Sequence, residues 1–187
     1  MPQSITPAIL NAADQVEHDL GNLDVSTRAL LTLLRAGETG GGGGGGGGDA
    51  YRYFRLNITD NNGANNINIA ELEVRTSVSG ATVTTGGTPS ASQNDFPATN
   101  GPDKAFDQNG ATAWATSAGT TTGWLQYDLG DGNDVTAAEY AVQAAAGATR
   151  APRDWTFEGS SDGSAWTVLD TQADQGFSAS QSKAYAL

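Results

Sequence analysis

Cysteine is absent from the 187-residue chain, and the only histidine is His18. Without cysteine the chain forms no disulfide and has no thiol nucleophile, a composition that fits either redox compartment. Because residues 51–187 contain neither cysteine nor histidine, they offer no Ser-His-Asp set, and no spacing of acidic residues suggests a catalytic pair. We expect a protein that is not an enzyme.

Basic residues are scarce as well. The chain has 9 Lys and Arg against 21 Asp and Glu, which gives a formal net charge of −12. Nucleic-acid binding needs a basic surface, so this balance argues against it and also disfavours anionic membranes. No run approaches the roughly 20 apolar residues that cross a bilayer. Residues 1–21 lack the basic start and apolar core of a signal peptide, so we expect no secretory leader.

The first 37 residues have the pattern of a helix. Thr6 is a good N-cap, Pro7 suits the first helical position and Gly37 suits the C-terminal cap. Apolar positions follow with alternating spacings of four and three residues, the heptad pattern of a coiled coil. They are Ile9, Ala13, Val16, Leu20, Leu23, Thr27, Leu30 and Leu34. Ile and Val in one set favour three or more strands, so we predict a homotrimeric helical anchor over residues 1–37.

A second interpretation of this segment stays open. Gly21 and Asn22 lower the helix propensity in its middle, and Asp24 can cap a second helix. Two short helices would then form a hairpin that docks on a neighbouring protein. In either case the segment is too small to enclose a core of its own and needs a partner.

Nine consecutive glycines, Gly40–Gly48, dominate the next stretch of the chain. We interpret residues 38–50 as a flexible linker whose glycine run has a root-mean-square span of about 17 Å. The alternative is that polyglycine strands pack between the chains of a trimer.

Residues 51–187 carry the aromatic residues, and short apolar stretches alternate there with Gly-rich turns. This pattern is typical of a β-sandwich or barrel. The predicted strands are 51–59, 67–76, 81–85, 124–129, 137–145, 154–159, 165–169 and 183–187, with a polar loop at 86–101. A break in the alternation predicts a β-bulge near Ala70 and Glu71. Strand or motif positions predict that four tryptophans lie in the core: Trp114, Trp124, Trp155 and Trp166.

One loop, residues 104–114, concentrates oxygen atoms. It carries Asp107, Asn109 and Thr112 around an Asn-Gly turn. A hard cation such as calcium takes about six to eight oxygen ligands from carboxylates, carbonyls and hydroxyls, and this loop offers several of them. The alternative is a turn in which the Asp107 carboxylate bonds its own backbone.

Three motifs follow one another along the chain. They are Asp107-x-Asn109-x-x-Thr112-x-Trp114, Trp124-Leu-Gln-Tyr-Asp-Leu-Gly130 and Phe157-Glu-Gly-Ser-Ser-Asp-Gly-Ser-Ala-Trp166. Together they resemble the discoidin, or coagulation factor C-type, family of galactose-binding-like domains. The resemblance implies a jelly-roll β-sandwich with a structural calcium ion under one end.

A fourth motif stands in an unusual place. The family carries an arginine-bearing strand and an Ile-Ala-Glu sequence near its C-terminus, whereas here they occur early, at residues 51–59 and 69–74. The resemblance therefore implies a circularly permuted discoidin domain over residues 51–187, similar to domains of bacteriophage virion proteins.

The resemblance also implies which atoms bind calcium. They are the carboxylates of Asp107 and Glu71, the hydroxyl of Thr112, and the carbonyls of Lys104, Asn109 and Ala70. Two carboxylates would neutralise the charge of the ion, and the ligands would join two distant segments of the chain.

Family members that bind glycans use variable loops at one end of the sandwich, with aromatic, Arg, Asn or Asp side chains. The corresponding candidates here are Asn94, Asp95, Phe96, Arg150 and Arg153. Two of them have structural alternatives, because Phe96 can plug the end of the sandwich and Arg153 can pair with Asp154.

A helical anchor, a glycine linker and one displayed domain fit a bacteriophage virion accessory protein, namely a head fibre, decoration protein or tail appendage. We expect such a protein to be made in the host cytoplasm, to reside in the virion, and to contact other virion proteins through residues 1–36. The alternatives are a free carbohydrate-binding adhesin module and an accessory module of a larger enzyme complex.

Overall fold

A computed structural model describes residues 48–93 and 97–187, which form a sandwich of two antiparallel β-sheets. The strands are β1 (Tyr53–Asn61), β2 (Asn68–Arg75), β3 (Thr88–Ala91), β4 (Trp114–Ala115), β5 (Gly123–Asp128), β6 (Glu139–Ala144), β7 (Pro152–Ser160), β8 (Thr167–Gln172) and β9 (Ser182–Ala186). One sheet has the order β3-β5-β1-β7-β8 and the other has the order β4-β2-β6-β9. The prediction of a mainly β, two-sheet sandwich is confirmed.

The core lies between the two sheets and is filled by alternate residues of each strand. In β1 the side chains of Phe54, Leu56 and Ile58 are buried, as the period of two along a strand requires. The Phe157 ring of β7 stacks on Phe54, with 5.8 Å between ring centroids, and on Tyr140 of β6, with 4.1 Å. Because β6 belongs to the four-stranded sheet, this aromatic stack joins the two sheets.

Two of the four tryptophans are not in the core. Trp114 and Trp155 are fully buried, as predicted, whereas Trp124 and Trp166 are half-buried, so the prediction is wrong for this pair. Trp124 precedes the buried Leu125 in β5 and therefore points to the opposite face of the sheet. Trp166 precedes β8 and packs outside the sandwich, with its ring 4.0 Å from the Arg55 guanidinium.

Most predicted strands occur within a few residues of their expected positions, but the strand predicted at 81–85 is wrong. Only Thr82 pairs there, in an isolated bridge with Arg75. The hydroxyls of Thr82 and Thr84 instead donate to backbone carbonyls of β2, at 3.3 and 3.4 Å. The strand β3 lies in the predicted loop 86–101, where Pro89 is tolerated because β3 is an edge strand.

Both ends of the described domain attach to residues 135–138. Tyr51 and Val135 exchange two backbone hydrogen bonds, and the Leu187 N–H donates to the Ala138 carbonyl at 2.9 Å. The Thr136 hydroxyl donates to the carbonyl of Gly48 at 2.9 Å. We call this end of the sandwich the tether end, because Gly48, the first described residue, lies there. The first and last strands, β1 and β9, belong to different sheets and do not pair.

The opposite end of the sandwich, which we call the distal end, is formed by the loop after β1 and the loops that contact it. The N–H of Ala64 donates to the Thr149 carbonyl at 3.1 Å, and the N–H of Asn62 donates to the Ala151 carbonyl at 3.1 Å. The loop that precedes β7 therefore lies beside the end of β1.

The predicted helical anchor, residues 1–37, and most of the predicted linker, residues 38–50, lie outside the described residues. In the ranges that the structure describes, no helix is long and apolar enough to cross a membrane.

Candidate metal centre and ligand-binding loops

The loop predicted to bind a cation follows a 3₁₀ turn, Pro102–Ala105, and leads into β4. The Asp107 carboxylate accepts the backbone N–H of Asn109 at 3.1 Å and lies 2.9 Å from the Thr112 hydroxyl. Gln108, between the two turn residues, has a φ of 56°, in the left-handed region that tightens the chain reversal. The loop thus turns its oxygen atoms towards a common point.

The bulge predicted in β2 brings Glu71 to this loop. The pairing of β2 with β6 shifts register between Ile69 and Glu71, and Ala70 and Glu71 are both buried. A bulge breaks the strict alternation of faces, so two consecutive residues can both be covered. One Glu71 carboxylate oxygen accepts the N–H of Asn109 at 2.6 Å. Segments far apart in sequence therefore meet in one cluster.

The charge balance of this cluster is unfavourable. Burial raises the pKa of Glu71 to about 7, the Asn109 N–H opposes that shift, and the nearby Asp107 carboxylate adds to it. No Lys or Arg of residues 48–93 or 97–187 forms an ion pair with either carboxylate. The ammonium of Lys104 pairs with Asp103 at 3.0 Å and acts on Asp107 only through its longer-range field. A bound cation would remove the cost of holding Glu71 and Asp107 together.

The Thr112 hydroxyl gives a second indication. Its oxygen lies 2.9 Å from each carboxylate oxygen of Asp107, 2.8 Å from the Asn109 carbonyl and 3.4 Å from the Lys104 carbonyl. A hydroxyl has one hydrogen and can donate to only one of these four acceptors. The other contacts join oxygen to oxygen without a proton, an arrangement that a cation at the common point would stabilise.

The donor set fits a hard cation. Among the described residues, no group of three or more His, Cys, Asp or Glu side chains could hold a metal ion. A site here would combine two carboxylates with a hydroxyl and backbone carbonyls, and an all-oxygen set of this kind suits calcium rather than zinc or copper. The structure brings together five of the six predicted ligands, and Ala70 lies beside Glu71 in the bulge.

The residues predicted to bind glycans fall into three groups. Asn94, Asp95 and Phe96 lie outside the described residues. Arg150 is exposed in a 3₁₀ turn at the distal end. Arg153 forms ion pairs with two carboxylates, those of Asp60 and Asp154.

The loop that leads to the undescribed residues also reaches the distal end. The Trp114 indole N–H donates to the Gln93 carbonyl at 2.8 Å, and the Thr120 hydroxyl donates to the Gln93 side chain at 3.1 Å. Thr120 in turn pairs with Asn66 in the loop after β1. Gln93 and Arg150 therefore lie at the same end of the sandwich.

Sequence reasoning missed a cavity of about 430 Å³ beside the loop that is predicted to bind a cation. Its lining is polar and includes Glu71, Glu73, Thr82, Gln108, Gly110 and Gln143. These residues come from separate parts of the chain, so only the folded structure reveals the cavity. Because Gln108 and Gly110 of that loop line the cavity, its shape depends on the conformation of the loop.

Comparison with known proteins adds a family. A family model described as the F5/8 type C domain matches residues 88–186, and no curated protein and no solved structure matches the chain. The match spans β3 to β9 and includes the loop of residues 104–114. It covers more than half of the chain, on a two-sheet β-sandwich, and we conclude that the chain belongs to the F5/8 type C, or discoidin, family.

Proposed function

We propose that this chain is a non-enzymatic accessory protein of a bacteriophage virion, which displays a calcium-stabilised discoidin domain for recognition of surface glycans. One observation carries the proposal. The two ends of the described domain, at Tyr51 and Leu187, are held at the tether end, whereas exposed Arg150 and Gln93 lie at the distal end. A domain attached at one end and free at the other is suited to display.

The strand order supports a circular permutation. The strands β1 and β2 precede the family match, yet β1 is central in its sheet and β2 lies between β4 and β6. A discoidin sandwich completed by strands from the front of the chain is the arrangement that a permutation creates. Tyr51 and Leu187 also contact the same short segment, and chain ends that lie close together make permutation tolerable.

Calcium has a structural role in this proposal. Asp107, Thr112 and the Lys104 and Asn109 carbonyls hold it from the loop, and Glu71 with the Ala70 carbonyl holds it from β2. The ion supplies positive charge to two carboxylates that otherwise repel each other. A ligand that binds only the folded chain stabilises that chain, so the metal would fix the loop on the sheet.

The heptad pattern of residues 1–37 predicts self-association. Apolar a and d positions need partner helices, so we expect the full chain to be an oligomer, with a trimer favoured. A shortened chain that begins at Asp49 should be a monomer. Light scattering at micromolar concentration measures both masses. If both chains are monomers, the coiled-coil prediction is wrong, and attachment of a helical hairpin to another protein takes its place.

Glycan recognition at the distal end is tested with the full chain and a panel of bacterial surface polysaccharides, by biolayer interferometry in the presence of calcium. Arg150→Ala should weaken binding about tenfold or more, because a hydrogen bond to a charged group contributes about 1.5–3 kcal/mol. Its melting temperature should not change, since Arg150 is exposed.

Arg153→Ala is the matched control for this experiment. It removes a guanidinium from the same end of the domain, but one that already pairs with Asp60 and Asp154. We expect lower stability and retained binding. A full chain that binds no polysaccharide of the panel argues against glycan recognition. Antibodies against the domain that fail to label phage particles in electron micrographs argue against the virion role and favour the free adhesin module.

A further inference from the structure

The sequence contains Asn-Gly pairs at three positions, which are Asn62, Asn100 and Asn109. In such a pair the backbone nitrogen of glycine can attack the side-chain carbonyl carbon of asparagine, because glycine has no Cβ that hinders the approach. The surroundings of each amide decide whether the attack can occur in the folded protein, and the three pairs differ in this respect.

The Asn62 amide is held firmly. Its Nδ2 lies within hydrogen-bonding distance of three backbone carbonyls, those of Ala151, Pro152 and Gln175, at 3.1, 3.2 and 3.1 Å, so both of its hydrogens have acceptors. The attacking group is held as well, since the N–H of Gly63 donates to the Asn61 side chain at 3.0 Å. This pair can react only after local opening of the distal end.

The Asn100 amide is also held at both of its polar atoms. Its Nδ2 donates to the Ala113 carbonyl at 3.2 Å, and its oxygen accepts the Thr99 hydroxyl at 3.0 Å. The following Gly101 is buried. This pair, too, has to open before it can react.

The Asn109 amide has the opposite environment. It is exposed, and in the part of the chain that the structure describes its Nδ2 donates to no protein group. Its oxygen accepts the backbone N–H of Ala111 at 3.2 Å. A donor at that oxygen stabilises the negative charge that develops when the carbonyl carbon is attacked. The leaving nitrogen faces solvent.

The glycine of this pair packs closely against β6. A Cβ at Gly110 would lie 2.6 Å from the side-chain nitrogen of Gln143, so the flexible end of that side chain would have to move to admit it. Glycine keeps this close contact without such a movement, and it also leaves its own backbone nitrogen unhindered for the attack.

We propose that Asn109 is a site of spontaneous deamidation. The Gly110 nitrogen forms a bond to the Asn109 side-chain carbonyl carbon, and the side-chain nitrogen leaves as ammonia together with the Gly110 amide proton. Water then opens the resulting succinimide at one of its two carbonyls, which gives aspartate or isoaspartate at position 109.

The products change the loop of residues 104–114. In the unmodified loop the Asn109 carbonyl accepts the Thr112 N–H at 2.9 Å and contacts the Thr112 hydroxyl at 2.8 Å. Isoaspartate adds a methylene to the main chain and therefore displaces this carbonyl. Either product adds a negative charge beside Asp107 and Glu71. The expectation that deamidation weakens calcium binding rests on the proposed calcium site, whereas the deamidation itself does not.

Trypsin separates the three pairs, which makes each an internal control for the others. Cleavage after Arg55, Arg75, Lys104 and Arg150 places one pair in each of the peptides 56–75, 76–104 and 105–150. The full chain is incubated folded at mildly alkaline pH, and the peptide masses are followed with time. We expect conversion of amide to acid in 105–150 to be about tenfold faster than in the other two peptides, which react only through local opening.

Two reference samples complete the experiment. In denatured protein all three peptides should react at similar rates, and in the Asn109→Ser chain the folded 105–150 peptide should not gain mass. Equal rates in the folded protein, or an unchanged 105–150 peptide beside a reactive denatured sample, would overturn the proposal. If Asn109 deamidates but calcium does not change the melting temperature of the unmodified protein, the proposed deamidation is supported and the proposed calcium site is wrong.

Discussion

We expect calcium to raise the melting temperature of the domain by roughly 5 to 10 °C when its free concentration is about 100 times the dissociation constant. At that concentration the linkage between binding and folding contributes about 2.7 kcal/mol, which for a domain of this size corresponds to such a shift. The physical reason lies in the buried Glu71 carboxylate, which accepts the same Asn109 N–H as Asp107 and, among the described residues, forms no ion pair with a Lys or Arg. Differential scanning calorimetry in EDTA and in millimolar calcium measures the shift.

Three variants locate the effect. Asp107→Ala and Glu71→Ala should each abolish the calcium shift, because each removes one of the two carboxylates of the cluster. Asp131→Ala should retain it, since Asp131 is fully exposed and its one ion pair among the described residues is with Arg52, at 3.5 Å. A wild-type domain that melts at one temperature in EDTA and in calcium contradicts the metal site. Asp107 would then be a turn residue that hydrogen-bonds its own loop.

Phe157→Ala lowers the free energy of unfolding by about 3–5 kcal/mol, the range for the removal of a buried aromatic side chain. Phe157 is 0% exposed and stacks on Phe54 and Tyr140, so its loss leaves a cavity between the two sheets. Urea unfolding followed by tryptophan fluorescence measures the change.

The matched control for this variant is Val168→Ala in the neighbouring strand β8. Val168 is 54% exposed, so the free energy of unfolding should change by no more than about 0.5 kcal/mol. A Phe157→Ala domain as stable as this control would mean that the aromatic stack does not hold the sheets together.

The sequence predicts the fold where the signal is local. Alternation along β1 and the broken alternation near Ala70 follow from the period of a strand, and both occur in the structure. No such signal marks β3. Pro89 and the small polar residues beside it are acceptable only in an edge strand, and β3 is an edge strand only because it pairs with β5. The prediction that Trp124 lies in the core is wrong because alternation shows that a strand has two different faces but not which of them packs on the other sheet.

The candidate metal centre was predictable in two unequal parts. Asp107 and Thr112 lie within one turn, so their proximity follows from the sequence alone. Glu71 is distant in sequence, and only the family resemblance placed it at the loop. The polar cavity next to the loop was not predictable, since Gln143 and Glu73 reach it only through the pairing of β2 with β6.

The attachment of β1 to the tether determines how the domain bears mechanical load. A ligand held by the distal loops and a linker held at the other end would pull along the length of the strands. β1 follows the linker directly and is hydrogen-bonded on both sides, to β5 and to β7. Its hydrogen bonds run across the direction of pull, so they are loaded in shear and have to break together rather than one after another. The contacts of Gly48 with Thr136 and of Tyr51 with Val135 lie ahead of the sheet, so we expect both to break before β1 separates from its neighbours.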